Sequence, residues 1–172
     1  MEDHTASHIP ADDSVQIVPY SPEYKEVFER LNTEWISTYF HLEPHDRETL
    51  SDPEGTILAP GGAILVACRG GEPLGVCALC PRDDPHYDYE LAKLAVSPHA
   101  QGLGLGQALT QAAINEAKKL GAHALLIEGN TSLKASIHIY HKLGFRDLPR
   151  VDSAYERVDI QLGLDLQEKK DL

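Results

Sequence analysis

Apolar residues recur at spacings of three and four from Tyr24 through Val27, Phe28 and Leu31 to Trp35, and this period predicts an amphipathic helix reaching about Phe40. Its start is marked by Ser21-Pro22-Glu23: a hydroxyl to cap, a proline at the first helical position and an acid in the first turn. Upstream, SVQIV suits a short strand stopped by Pro19. AILVAC and PLGVCALC flank RGGE and predict a β-hairpin, PRDDPHY reads as a loop, and YELAKLAV is the next strand. A helix follows from about Gly104 to Leu120, with Leu109, Ala112, Ala113 and Ala117 on one face, lysines in its last turn and Gly121 as its stop. HALLIEG is then a strand, SLKASIHIYHKL a helix ended by Gly144, and AYERVDIQLGL a final strand. Residues 41–62 carry a weaker pattern, a short helix among Pro- and Gly-rich turns.

This order predicts one α/β domain over residues 14–166, a mixed sheet of about six to seven strands flanked by helices, with a flexible tail at 1–13 and a short one at 167–172. A chain of 172 residues can bury roughly 70% of its unfolded surface in a single core. No apolar run approaches a membrane span, and MEDHTASHIPADD is too acidic for a signal peptide, so the expectation is a soluble cytoplasmic protein without membrane contact. Nothing in the pattern separates a monomer from a homodimer.

Charge narrows the partners. A net charge of −12 opposes nucleic-acid binding, which needs clustered Lys and Arg. Residues 1–88 hold 17 acids and 5 bases, whereas residues 89–150 hold 4 and 7, a local excess of positive charge. The three cysteines, Cys68, Cys77 and Cys80, form no disulfide framework. Cys77 and Cys80 lie three apart on a strand and point to opposite faces, against a redox or zinc pair. The nine histidines offer no metal site: His138 and His141 share a helix face without a third ligand, and His41 and His45 lie in a loop.

In that positive segment, glycines occupy alternate positions where a strand gives way to a helix, in SPHAQGLGLGQAL. The dinucleotide fingerprint fails because Gln107 stands where its third glycine belongs, and a P-loop fails for want of Gly-Lys-Ser/Thr. What remains is Gln101, Gly102, Leu103, Gly104, Leu105, Gly106 and Gln107 ahead of a helix N-terminus, where unpaired N–H groups and the dipole favour an anion.

That run resembles the Q/R-x-x-G-x-G/A pyrophosphate loop of the GNAT acetyltransferase superfamily. A second stretch, NTSLKASIHIYHKLGF at 130–145, resembles the superfamily's closing motif, and together the likeness covers about residues 88–150. The resemblance implies acetyl-CoA as cosubstrate with no metal, residues 101–107 on the diphosphate, Asn130 on the pantetheine arm and Tyr140 beside the sulfur. It further implies that the strand before the loop splays from its neighbour. Leu94, Ala95 and Val96 then pair with the pantetheine, and the Leu94 N–H donates to the acetyl oxygen. Glu90 stands where several members carry a general base.

The residues themselves are compatible with these roles. Strict alternation places Glu90, Ala92, Leu94 and Val96 on one face, with Lys93 turned to solvent; Glu90 is then a base along the thioester or an ordinary strand acid. A phenol with pKa near ~10 can protonate a thiolate whose acid is near ~8.5, although Tyr140 can equally pack with Ile137 and Leu143. Lys134 and Lys142 either reach phosphates or are solvated. Trp35, Tyr39, Phe40 and Tyr155 are candidate walls of an acceptor pocket, or core. The expected activity is direct N-acetyl transfer from acetyl-CoA to a primary amine of a small molecule. A protein or peptide lysine or N-terminal acetyltransferase is the alternative, and a non-catalytic CoA-binding module is a third reading that Glu90 and Tyr140 disfavour.

Overall fold

The computed structural model describes residues 14–149 and 152–167, so the expected tail at 1–13 and all but the first residue of the one at 167–172 lie outside the described residues. The chain forms β1 (Val15–Pro19), α1 (Lys25–Tyr39), α2 (Pro44–Ser51), β2 (Ala63–Arg69), β3 (Glu72–Pro81), β4 (Tyr89–Val96), α3 (Leu105–Lys119), β5 (Ala124–Gly129), α4 (Lys134–Lys142), β6 (Arg146–Asp147) and β7 (Ile160–Asp165). One seven-stranded sheet results, in the order β1-β2-β3-β4-β5-β7-β6. Only β4 and β5 run parallel, joined by the α3 crossover, and every other neighbouring pair is antiparallel.

The β2–β3 hairpin turns through Gly70 and Gly71, whose φ angles of +58° and +79° are the left-handed pair that a two-residue hairpin loop requires. The sheet then buries both faces. On one, α1 presents Phe28, Leu31 and Ile36 to Val66, Val76 and Ala95; on the other, α3 presents Leu105, Leu109 and Ala113 to Leu79, Leu91 and Leu125. Leu109 and Phe28 are wholly buried, each stabilising by roughly 1.5–3 kcal/mol relative to exposure. Cys77 packs on the α3 side and Cys80 on the α1 side, as their spacing requires, and all three thiols are free.

Three local expectations change. Ser21 does not cap: its hydroxyl donates to Glu23 Oε1 at 3.0 Å, and residues 22–24 form a 3₁₀ turn ahead of α1. The final strand begins at Ile160 rather than near Ala154, because residues 156–157 are drawn instead toward α2: the Glu156 N–H and the Arg157 guanidinium both donate to Glu43. Third, β4 is not a regular strand. Ala95 pairs with Val76 and Ala92 with Ala78, so three steps along β4 answer two along β3, and the extra residue forms a bulge. Lys93 sits in it with φ +54°, the one non-glycine residue with positive φ among those described.

Candidate active site

β4 and β5 pair only at Tyr89 with Leu125 and Glu90 with Leu126, then part. The gap between them opens a cleft of about 200 Å³ that reaches from Gln101 and Gly106 on the α3 side, past Tyr140 and Glu90, to Trp35, Phe40 and Tyr155 on the α1 side. The splay that the glycine motif implied is therefore present, and it brings the expected base and acid to one cavity.

The bulge corrects how β4 presents its residues to that cavity. Before it, Tyr89 and Leu91 face α3; after it, Leu94 and Val96 do, while Ala95 packs against the α1-side core. Glu90 and Leu94 thus lie on opposite faces, not along one wall as strict alternation predicts. Across the bulge the alternation slips by one, so the edge to which each backbone N–H and C=O points changes at the same place.

Glu90 is 13% exposed and accepts a hydrogen bond from Arg82 Nη1 at 3.0 Å. Glu128, at the end of β5, lies 3.6 Å from the same nitrogen, so two buried carboxylates share one guanidinium. Burial first, then the charge of Glu128, pushes the Glu90 carboxyl up to about 7, against the pull of Arg82 and Lys93. Glu128 itself is held by Ser153 at 2.6 Å and Gln161 at 3.2 Å.

Tyr140 lies on the buried face of α4, edge-on to Phe145 at 6.1 Å between ring centres, and also lines the cleft. It both packs and faces the gap. Burial, with a smaller contribution from Cys77, pushes its phenol up to about 12, so the hydroxyl stays protonated and able to donate.

The glycine loop has the backbone its composition suggested. Gly102 and Gly104 adopt φ +90° and +75°, and a Cβ at either would meet open space, so the loop face is bare backbone. Gly104 is the N-cap of α3, and the N–H groups of Leu105, Gly106 and Gln107 precede the first intrahelical bond, Ala108 N–H to the Gly104 carbonyl at 3.1 Å. Leu103 is 47% exposed, whereas Leu105 is buried in the core. Lys142 reaches Gln107 Oε1 at 3.4 Å, placing an ammonium beside this helix start.

Lys93 is not at the solvent surface. Its side chain is 6% exposed and its ammonium donates to Asp46 Oδ1 at 2.7 Å and to the Tyr155 hydroxyl at 3.1 Å. Asp46 is wholly buried and also receives two bonds of 2.7 Å from Arg157 and one of 2.9 Å from the Glu43 N–H. Burial alone would push Asp46 up; Arg157 and Lys93 outweigh it and hold the carboxyl well below the usual range. Two cations lie against the Tyr155 ring, with Arg157 4.4 Å and Lys93 5.0 Å from its centre.

Trp35, Phe40 and Tyr155 line the cleft, but Tyr39 does not: it is 47% exposed, with its ring 5.2 Å from that of Trp35. Asn130 borders the cleft with both ends of its amide engaged, donating to the Arg157 carbonyl at 2.7 Å and accepting from the Ser132 N–H at 2.9 Å. Sequence reasoning missed Arg82, Glu128, Asp46, Glu43 and Arg157, none of which belongs to a motif. Among the described residues no group of three His, Cys, Asp or Glu could hold a metal, and His141 pairs with Asp147 at 2.7 Å. No described helix is long and apolar enough to cross a membrane.

This fold has many counterparts. An acetyltransferase from Staphylococcus aureus Mu50 superposes with a TM-score of 0.79 at 18% identity, covering 90% of this chain and 100% of that one. A Salmonella typhimurium acetyltransferase solved with its cofactor acetyl-CoA superposes with a TM-score of 0.67 at 22% identity, covering 92% and 98%. In sequence, the mycothiol acetyltransferase of Paenarthrobacter aurescens is 38% identical over 60% of this chain and 31% of its own length, so the chain spans about a third of that relative. The IAA acetyltransferase of Azospirillum brasilense is 32% identical over 62% of this chain and 68% of its own. Residues 24–145, well over half of the sequence, match the family model described as Acetyltransferase (GNAT) family, and with the splayed strands and the glycine-capped helix already in place, the chain belongs to that family.

Proposed function

We propose that the protein transfers the acetyl group of acetyl-CoA directly to a primary amine of a small molecule, with Glu90 as general base and Tyr140 as general acid. The observation that carries this is the single cleft between β4 and β5 that Glu90, Tyr140 and the glycine loop all border. The diphosphate would lie on the N–H groups of residues 101–107, and the pantetheine along Leu94, Ala95 and Val96, past Asn130. The Leu94 N–H would donate to the acetyl oxygen as it gains charge. Glu90 would take a proton from the ammonium, the freed amine would attack the thioester carbon, and the C–S bond would break as Tyr140 protonates the departing sulfur, the second proton leaving the amide nitrogen to restore the phenol. A carboxyl tuned to about 7 suits the first step near neutrality.

Direct transfer is favoured because burial pushes the Cys77 and Cys80 thiols up to about 12, leaving them neutral and poorly nucleophilic. The aromatic side of the cleft, walled by Trp35, Phe40 and Tyr155, suits a compact acceptor, and relatives named for mycothiol and IAA are in keeping with small-molecule substrates. The test is a thiol-release screen with acetyl-CoA against amino acids, polyamines, aminoglycosides, arylamines and lysine-bearing peptides. Turnover on a small amine, retained when the three cysteines are replaced by serine, is the expected result. Turnover confined to peptides would make the chain a peptide acetyltransferase, and loss of activity in a folded cysteine-free protein would overturn direct transfer.

A further inference from the structure

We propose that Lys93 is a positioning residue, whose ammonium, anchored on Asp46 and Tyr155, holds the left-handed bulge that turns Leu94, Ala95 and Val96 toward the cofactor. The inference rests on the acetyl-CoA reading of the cleft but adds a device to it. Left-handed backbone is disfavoured for a residue with a Cβ, and lysine brings no compensating local hydrogen bond of the kind that asparagine or aspartate can supply. Something beyond the strand must therefore hold Lys93 at φ +54°.

The structure supplies that hold from outside β4. Asp46 comes from α2 and Tyr155 from the segment before β7, and both contact the Lys93 ammonium in a region closed to solvent. Asp46 is fixed in turn by Arg157 and by the Glu43 N–H, and Glu43 binds Arg157 and the Glu156 N–H. An ordinary strand conformation at Lys93 would withdraw its side chain from this cluster and slip the β4 register past Val76 and Ala78. It would also return the Leu94 and Val96 side chains to the face now held by Ala95 and exchange which of the backbone groups beyond the bulge point to β3 and which point into the gap where the pantetheine would lie. The cluster walling the acceptor side therefore sets the backbone of the cofactor side.

Glycine separates this role from others. Lys93→Met removes the charge, keeps the length of the side chain and leaves a Cβ in left-handed backbone; Lys93→Gly also removes the charge but adopts φ +54° freely. Binding of acetyl-CoA by calorimetry should weaken about tenfold in Lys93→Met, the factor that corresponds to the energy of left-handed strain in one residue, and recover most of that loss in Lys93→Gly. Amide exchange at Leu94, Ala95 and Val96 in the free protein should quicken in the methionine variant and not in the glycine variant, a readout that requires no cofactor. Equal weakening in both variants would mean that the ammonium itself serves the cofactor, and no weakening in either would mean that the bulge holds itself; each overturns the proposal. If the wild-type protein fails to bind acetyl-CoA, the functional reading falls, and the exchange pattern alone then decides the role of Lys93.

Discussion

Two buried carboxylates whose charges both act on Tyr155 meet opposite fates. Asp46, on α2, has two cations and a backbone N–H directed at it and stays ionised. Glu90, on β4, shares a single guanidinium with a second carboxylate, Glu128, and its proton is held up to about 7. The chemistry of the group is the same, and burial raises both. The number of donors aimed at each decides which becomes a fixed structural charge and which remains able to take and release a proton near neutrality.

Swapping the charge of each acid for an amide should therefore give opposite phenotypes. Glu90→Gln should lower turnover by roughly 10²–10⁴-fold, with a loss that shrinks as pH rises and the amine deprotonates unaided. A pH-rate profile parallel to wild type would remove Glu90 from the mechanism. Asp46→Asn leaves Lys93 and Arg157 buried without their carboxylate and should destabilise the fold by about 3–5 kcal/mol in denaturant titration. The pH dependence of stability should separate them too. A folded Glu90 that holds its proton more tightly than the unfolded chain loses stability as pH rises from its ordinary 4.5 toward 7, and Glu90→Gln should remove that slope. The depressed Asp46 contributes stability that is fully present above its ordinary 3.8 and lost progressively as pH falls from there through its lower folded value, and Asp46→Asn should remove the acid-side slope. Unchanged slopes in either variant would assign the linkage elsewhere.

The glycine-loop side of the cleft was legible in the sequence and the α1 side largely was not, and the reason is physical. A glycine loop ahead of a helix works through backbone groups of consecutive residues, so its signature is local: Gly102, Gly104 and the start of α3 lie where the spacing put them. The hairpin turn at Gly70-Gly71 was readable for the same reason. The clusters around Asp46 and Glu90 are assembled from residues 43, 46, 82, 93, 128 and 157, whose charges read along the chain as ordinary solvated positions. The bulge was hidden most deeply, because a lysine at positive φ has no compositional mark. Without it, alternation assigns Lys93 to solvent and Glu90 to the wrong partner face.

Tyr140 tests whether the two sides of the cleft act together. Its phenol is kept protonated by burial, so Tyr140→Phe removes a donor to the leaving sulfur without leaving a charge behind. Turnover should fall by about tenfold, less than for Glu90→Gln, since the thiolate is a good leaving group near neutral pH. The decrease should appear in kcat, with the KM for acetyl-CoA little changed. A rise in KM alone would make Tyr140 a wall of the cleft rather than an acid.

The smallest effect sharpens the comparison most, because it alters the surroundings of Glu90 and leaves the carboxyl in place. The charge of Glu128 helps raise Glu90, and Arg82 opposes it. Glu128→Gln removes a like charge while leaving an amide oxygen to accept from Gln161 and an N–H that the Ser153 hydroxyl can accept, so the acid limb of the pH-rate profile should move to lower pH. Arg82→Gln removes the opposing cation, 3.0 Å from Glu90, and the limb should move to higher pH. Each shift should be on the order of one pH unit, the size that a neighbouring charge within hydrogen-bonding range imposes. Titration of ¹³C-labelled glutamate carboxyls by NMR measures the same displacement without any acceptor amine. Shifts of opposite sign would establish that Glu90 is tuned by its balance of neighbours. Two shifts of the same sign would mean that the substitutions act by letting water into the site, and burial would then account for the raised Glu90 by itself.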